Sequence, residues 1–100
     1  MKEKKRLKPE EATRKIREIV RHGGTVILSR HCRTRMLERN LTIHDLLSVL
    51  SNGNVTGPPE YSEEHHQYRY KVAGQTIDGE EAIAITVIVS HRSALIITMY

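Results

Sequence analysis

The chain has 100 residues, enough for one small domain and too few for a second hydrophobic core. It is 38% hydrophobic and 28% charged, as in ordinary globular proteins, and its single cysteine excludes an internal disulfide and a cysteine-based zinc site. The sequence contains no apolar run of signal-peptide or membrane-spanning length. We therefore expect a cytoplasmic protein that has no membrane partner.

The net charge of +4 is unevenly distributed. Residues 1–39 contain thirteen Lys and Arg against five Glu, a balance of +8, whereas residues 40–100 contain three against seven, a balance of −4. Sorting of this kind creates one positive region that attracts polyanions. Residues 1–8 predict either a flexible basic arm or a plain solvated tail, and residues 9–100 predict a single domain.

The first half of the chain predicts three helices and one short strand. Apolar residues at helical spacing predict a first helix over residues 9–22, which HGG ends, and TVILS predicts a strand over 25–29. Ser29 is a suitable N-cap for a second helix over 30–39. Thr42 is a suitable cap for a third helix, which ends at Gly53.

The second half predicts strands. The segment QYRYKV alternates apolar and polar residues, AIAITVIV (82–89) is apolar on both faces, and ALIITMY ends the chain. Pro58 and Pro59 cannot lie inside a central strand. Helices in one half and strands in the other predict an α+β domain, with an antiparallel sheet of three to five strands and three helices packed on one face.

The second helix concentrates cationic side chains. His31, Arg35 and Arg39 are spaced by four residues and share one face, which suits phosphate groups because arginine binds them bidentately. An ordinary solvated helix face is the alternative. Cys32 and Met36 share the next stripe, and we interpret Cys32 as a packed residue rather than an activated thiol.

A second set of candidate residues lies in the strands. Tyrosines and cations alternate along one strand, which is typical either of half-buried sheet residues or of a platform for single-stranded RNA. His91 and Arg92 occupy the last predicted turn, SHRS (90–93). The predicted RNA-binding residues are Arg39, Tyr70, Lys71 and Tyr100.

Cleavage of RNA without a metal requires a base, an acid and cations that stabilise the phosphorane. Histidine is suited to the proton transfers, so His31 and His91 are the acid–base candidates. The predicted phosphate-binding residues are Arg35, Arg69 and Arg92. We expect no metal or other cofactor, because the adjacent His65 and His66 would point to opposite faces of a strand.

A family resemblance adds to this interpretation. The segment ILSRHCRTRMLERNLTIHDLLSVLSNGNV resembles a bacterial family of small proteins of unassigned function that share a Ser-x-His-x-x-x-Arg-Met pattern. Ser29, His31, Arg35 and Met36 occupy the pattern positions. The closing segments YRYKVAG and AIAITVIVSHRSALIITMY are similar to the final strands of that family.

Proteins of that family look like distant members of the RelE/MqsR toxin superfamily and are often encoded beside a zinc-finger antitoxin. The resemblance implies a RelE-like fold and a metal-independent endoribonuclease that cuts mRNA, often on the ribosome, and is silenced by a cognate antitoxin. The predicted strands lack the many lysines that ribosome-dependent relatives carry in their sheets. Two alternatives remain open: a non-catalytic RNA-binding module, and a protein-interaction domain whose basic helix docks an acidic partner.

Overall fold

The computed structural model describes residues 6–100 as three helices and six strands, with the first strand between the first two helices. Residues 1–5, which include most of the predicted arm, lie outside the described residues. The elements, in chain order, are α1 (Pro9–Arg21), β1 (Thr25–Leu28), α2 (Arg30–Glu38), α3 (Ile43–Asn52), β2 (Asn54–Val55), β3 (Glu60–Ser62), β4 (Gln67–Gln75), β5 (Glu81–Ser90) and β6 (Ser93–Met99).

The predicted helix boundaries are confirmed to within a residue, because local capping chemistry sets them. The backbone N–H of Lys8 donates to Oε1 of Glu11 at 3.1 Å, which fixes the start of α1. At α3, the N–H of Asp45 donates to the Thr42 hydroxyl at 3.1 Å, and the N–H of Thr42 donates back to the Asp45 carboxylate at 2.9 Å. At the other end of the predicted arm, Leu7 packs against the buried core and Lys8 precedes the first turn of α1.

The α+β class is confirmed, but the sheet is larger and mixed. Its strand order is β1-β6-β5-β4-β2, β3 also pairs with β4, and β1 lies parallel to β6. The prediction of three to five antiparallel strands missed β2 and β3, which have two and three residues. Strands this short show no alternation, and no local pattern reveals the parallel pairing of β1 with a strand about seventy residues away.

All three helices contribute to one buried cluster against one face of the sheet. The cluster joins Ile16 of α1, Cys32 of α2 and Leu46 of α3 to Val72 and Ile96 of the sheet. Strand side chains alternate between the two faces. The opposite face, which we call the open face, therefore carries the intervening residues, which include Ile27, Glu60, Arg69, Lys71, Glu81, Ile83, Ile85, Val87, Leu95, Thr98 and Tyr100.

Two arginines of the basic N-terminal half stabilise the fold by hydrogen bonds to backbone carbonyls. Nη2 of Arg17 donates to the carbonyls of Asn52 and Gly53 at 3.2 and 2.9 Å, and Nη2 of Arg21 donates to that of Ser51 at 2.6 Å. These carbonyls end α3, where cations stabilise the helix dipole. The charge excess of residues 1–39 is thus partly committed to holding α1 against α3.

We expect Gly24→Ala to destabilise the domain by about 1–3 kcal/mol. An added Cβ would lie 2.6 Å from the carbonyl oxygen of Arg92 and 2.7 Å from that of Ile19, and both are backbone atoms that cannot rotate away. Urea unfolding measures the effect. Gly23→Asn is the control, since Gly23 has open space and a φ of 75° that asparagine tolerates. Equal losses in both variants would contradict the account.

We also expect Asp45 to make stability depend on pH. Backbone N–H groups of Thr42 and Ile77 donate to its carboxylate and lower the pKa of Asp45 below its usual value. A depressed pKa contributes stability above the unfolded-state value of about 3.9, and this stability is lost as the pH falls towards the folded value.

Asp45→Asn should therefore be less stable than wild type at neutral pH, and the difference should shrink on acidification. Urea unfolding at several pH values measures both. Asp78→Asn removes the same charge from an exposed turn and controls for net charge. The same pH profile in both variants would assign the effect to net charge instead.

Candidate nucleic-acid interface

Ser29 fixes the position of α2 on the sheet. Its hydroxyl accepts a hydrogen bond from the N–H of Cys32 at 2.9 Å, which caps the helix. The same hydroxyl donates to the carbonyl of Ile97 on β6 at 2.6 Å, and the Ser29 N–H donates to the carbonyl of Ile96 at 3.0 Å. The start of α2 is thereby tied to β6 just beyond the end of β1.

The inner stripe of α2 belongs to the core. Cys32 is fully buried, Met36 is nearly so, and their sulfur atoms lie 3.7 Å apart. Burial raises the pKa of the Cys32 thiol and therefore disfavours the reactive thiolate. The interpretation of Cys32 as a packed residue is confirmed.

The outer face of α2 is a cationic surface. His31 and Arg39 are exposed, and so are Arg30 and Arg33, whereas Arg35 is half-buried. Nε of Arg35 is buried without a hydrogen-bond partner. The ion pairs among residues 6–100, Lys15–Glu18 and His65–Glu64, lie elsewhere. His31, Arg35 and Arg39 are spaced by four residues and share one side of the helix, and we call these three residues the α2 basic face.

His31 and His91 do not meet. His91 lies in the turn between β5 and β6, and the neighbouring Ser93 pairs with the first residue of β1. His31 follows the other end of β1, two residues after Ser29, whose hydroxyl bonds to the carbonyl of Ile97. About 13 Å of strand separates Ser93 from Ile97 at roughly 3.3 Å per residue. The predicted convergence of the two imidazoles is therefore not found.

His91 instead lines a cleft of about 200 Å3 at the end of α1, together with Glu18, His22 and Arg92. Nη2 of Arg92 donates to the carbonyl of Gly23 at 3.3 Å, directly after α1. The cleft combines a carboxylate with the negative end of a helix dipole, and neither favours a phosphate. Sequence reasoning missed His22 because nothing local shows that the ends of α1 and β5 meet.

The strand candidates are divided between the two faces of the sheet. Tyr70 is only 2% exposed, and its hydroxyl accepts a hydrogen bond from the N–H of Leu7 at 2.9 Å. Burial raises the pKa of the Tyr70 hydroxyl. The expectation that Tyr70 contacts an RNA base is therefore wrong, because its ring lies inside the core.

Arg69, Lys71 and Tyr100 lie on the open face, as the alternation predicted for the two cations. Tyr100 is 37% exposed, and its backbone N–H donates to the carbonyl of Ile83 at 2.9 Å. The centre of this face consists of Ile, Val and Leu rather than aromatic rings. Aliphatic side chains cannot stack on bases, so this face does not have the composition of an RNA platform.

No metal site is evident among residues 6–100, where no three His, Cys, Asp or Glu side chains come together. His65 and His66 lie in a turn and not, as expected, in a strand, and His66 has a φ of 51°. None of the helices in the described part of the chain is long and apolar enough to cross a membrane.

Comparison with known proteins shows the family of the chain. Residues 28–100 match the family model described as a domain of unknown function, DUF4258, so the chain belongs to the DUF4258 family. Searches of curated proteins and of solved structures find no significant match. The match includes α2, α3 and β2 to β6, and it leaves out α1 and nearly all of β1.

The structure explains two of the four pattern positions. Ser29 caps and anchors α2, and Met36 packs in the core. His31 is exposed and has no hydrogen bond or ion pair to another of residues 6–100, and Arg35 has a buried Nε without a hydrogen-bond partner there. We therefore assign Ser29 and Met36 to folding, and His31 and Arg35 to the candidate site.

We expect Ser29→Ala to destabilise the domain by about 1–3 kcal/mol, because it removes an N-cap and leaves the Ile97 carbonyl without its donor. His31→Ala should change stability by no more than about 0.5 kcal/mol, as is usual for an exposed residue. Urea unfolding of both variants measures the difference. A large loss in His31→Ala would give His31 a structural role and remove it from the candidate site.

Proposed function

We propose that the domain is an RNA-directed toxin, a metal-independent endoribonuclease whose substrate phosphate lies against the α2 basic face. The observation that carries the proposal is the exposure of His31 among arginines that no carboxylate neutralises within the described residues. Such a surface attracts a polyanion and offers a proton-transfer group beside it.

In the proposed reaction the ribose 2′-oxygen attacks the adjacent phosphorus and the 5′-oxygen leaves. The products are a 2′,3′-cyclic phosphate and a free 5′-hydroxyl. His31 carries one of the two proton transfers, and water carries the other because the face is open to solvent. Arg35 and Arg39 stabilise the charge that develops on the phosphorane oxygens.

This assignment leaves His91, Arg69 and Arg92 outside the reaction centre. His91 and Arg92 lie at the other end of β6, and the Arg69 side chain is on the open face. The proposed substrate is mRNA, including mRNA on the ribosome, and the proposed compartment is the cytoplasm. The family resemblance supports a cognate antitoxin as the protein that silences the activity.

A non-catalytic RNA-binding module is the second candidate, and the separation of the two predicted histidines favours it. Without a second imidazole, the α2 basic face still binds phosphates through its arginines. Affinity would then fall steeply with salt, and no cyclic-phosphate product would form.

Induced expression of the wild-type protein should arrest growth, and purified protein should cut single-stranded RNA to products with cyclic-phosphate ends. We expect His31→Ala to lower the cleavage rate by about 10²–10⁴-fold, the usual contribution of a general acid or base. Arg35→Ala should lower both cleavage and RNA affinity. Labelled RNA resolved on gels gives the rates.

His65→Ala is the matched control, since it removes another exposed imidazole from the turn between β3 and β4 and should retain wild-type activity. Salt-dependent RNA binding without cleavage would support the non-catalytic module instead. A wild-type protein that neither binds RNA nor cleaves it would contradict both candidates.

A further inference from the structure

The two edges of the sheet differ in how they are protected. At one edge, the backbone N–H of Val55 on β2 donates to Oγ1 of Thr13 on α1 at 2.9 Å, so a helix covers the outer side of that strand. Pro58 and Pro59 follow along the same edge, and proline has no N–H to donate to a further strand. Natural sheets close their edges by such devices, because an unpaired edge attracts another strand.

The other edge, formed by β1, has neither device among residues 6–100. Its sequence, TVIL, contains no proline and no charged residue. The N–H groups of Thr25 and Ser29 both donate to backbone carbonyls on the β6 side, at 2.8 and 3.0 Å. Alternate residues of a strand bond to the same side, so the N–H and C=O groups of Val26 and Leu28 point away from β6. These outward backbone groups have no hydrogen-bond partner within the described part of the chain.

The side chains of β1 are also accessible. Ile27 lies on the open face and is 43% exposed, although Leu95 of β6 lies beside it. Val26 and Leu28, on the helix side, are only half-buried at the margin of the core. A strand laid along β1 would cover apolar surface on both sides of the sheet and pair the outward backbone groups. Donors and acceptors at this spacing, joined to apolar side chains, are the chemistry of an extended polypeptide and not of RNA.

The charges that flank β1 define the strand further. The basic residues within five positions of either end, all exposed, are Arg21, His22, Arg30, His31 and Arg33. No Asp or Glu lies in these two segments, and Glu18, which lines the cleft beside Gly24, already pairs with Lys15 at 3.5 Å. A second copy paired antiparallel along β1 would bring the segment after β1 in one copy beside the segment before β1 in the other. Like charges would then meet at both ends, whereas carboxylates at the ends of a different strand are attracted.

We propose that β1 pairs with an extended segment of a partner protein, an apolar strand of about four to six residues with carboxylates at both ends. This segment extends the six-stranded sheet by one strand, and its carboxylates lie near Arg21 at one end and Arg30 at the other. The inference does not depend on RNA cleavage, because the backbone of β1 carries it and not the α2 basic face.

The probe is a peptide of about ten residues, with alternating valine and threonine in the middle and glutamates at both ends, which at roughly 3.3 Å per residue spans β1 and its flanks. Fluorescence anisotropy should detect saturable binding to the wild-type protein. A matched pair of peptides carries N-methyl groups on alternate central residues, in opposite phase. Only one of the two sets of N–H groups can face β1. One N-methylated peptide should therefore bind roughly tenfold more weakly or worse, and the other should bind like the parent peptide.

Variants of the protein test the other side of the contact. Ile27→Asp should weaken binding by roughly tenfold, because it removes the exposed apolar side chain of β1 and adds a charge that repels the peptide. Ile77→Asp is the matched control, since Ile77 is 64% exposed in the turn between β4 and β5. Arg30→Glu should weaken binding of the glutamate peptide and strengthen binding of a lysine-ended one, and Arg14→Glu, on an exposed position of α1, should change both less. The N-methylated pair keeps the test valid if Ile27→Asp fails to fold, because it uses the wild-type protein.

Four results would overturn the proposal. The first is the absence of saturable binding by the parent peptide. The second is equal affinity of the two N-methylated peptides, which would show that backbone pairing is not used. The third is an equal effect of each variant and its control, which would assign binding to net charge alone. The fourth is a concentration-dependent dimer in light scattering that Ile27→Asp dissociates, since a second copy would then cover the edge.

Discussion

The hydrogen bond from the Ser29 hydroxyl to the Ile97 carbonyl joins the two halves of the molecule. It holds the first turn of α2 beside β6, where β1 has already ended and no further strand continues the parallel pairing. Because Cys32 and Met36 then turn into the core, the cationic residues of α2 must face solvent. The contacts of Ser29 and the burial of Cys32 and Met36 together leave the cationic residues of α2 on the solvent side.

This arrangement separates two surfaces of different chemistry. The α2 basic face is charged and polar, whereas the open face of the sheet is mainly aliphatic and carries charges of both signs at its margins. A polyanion suits the first surface and not the second.

Local chemistry made much of the fold predictable. Ser29, Thr42 and Asp45 mark helix starts because their side chains bond to backbone within three residues, and the strand alternation separated Tyr70 from Lys71. Alternation does not show which face of the strand the helices cover, because that depends on contacts between distant segments. The burial of Tyr70 could therefore not be predicted. The same limit applies to Arg17, Arg21 and Arg92, whose long side chains reach backbone carbonyls at helix ends.

The candidate site was predicted in part. The helical spacing identified the exposed His31 face, but the partner chosen for it, His91, lies at the far end of β6. The most direct test is an NMR titration of the labelled protein with a short single-stranded RNA, 2′-O-methylated so that it cannot be cut. The account predicts amide shifts concentrated in residues 30–39. Shifts concentrated in the turn at 91–92 or on the open face would contradict it.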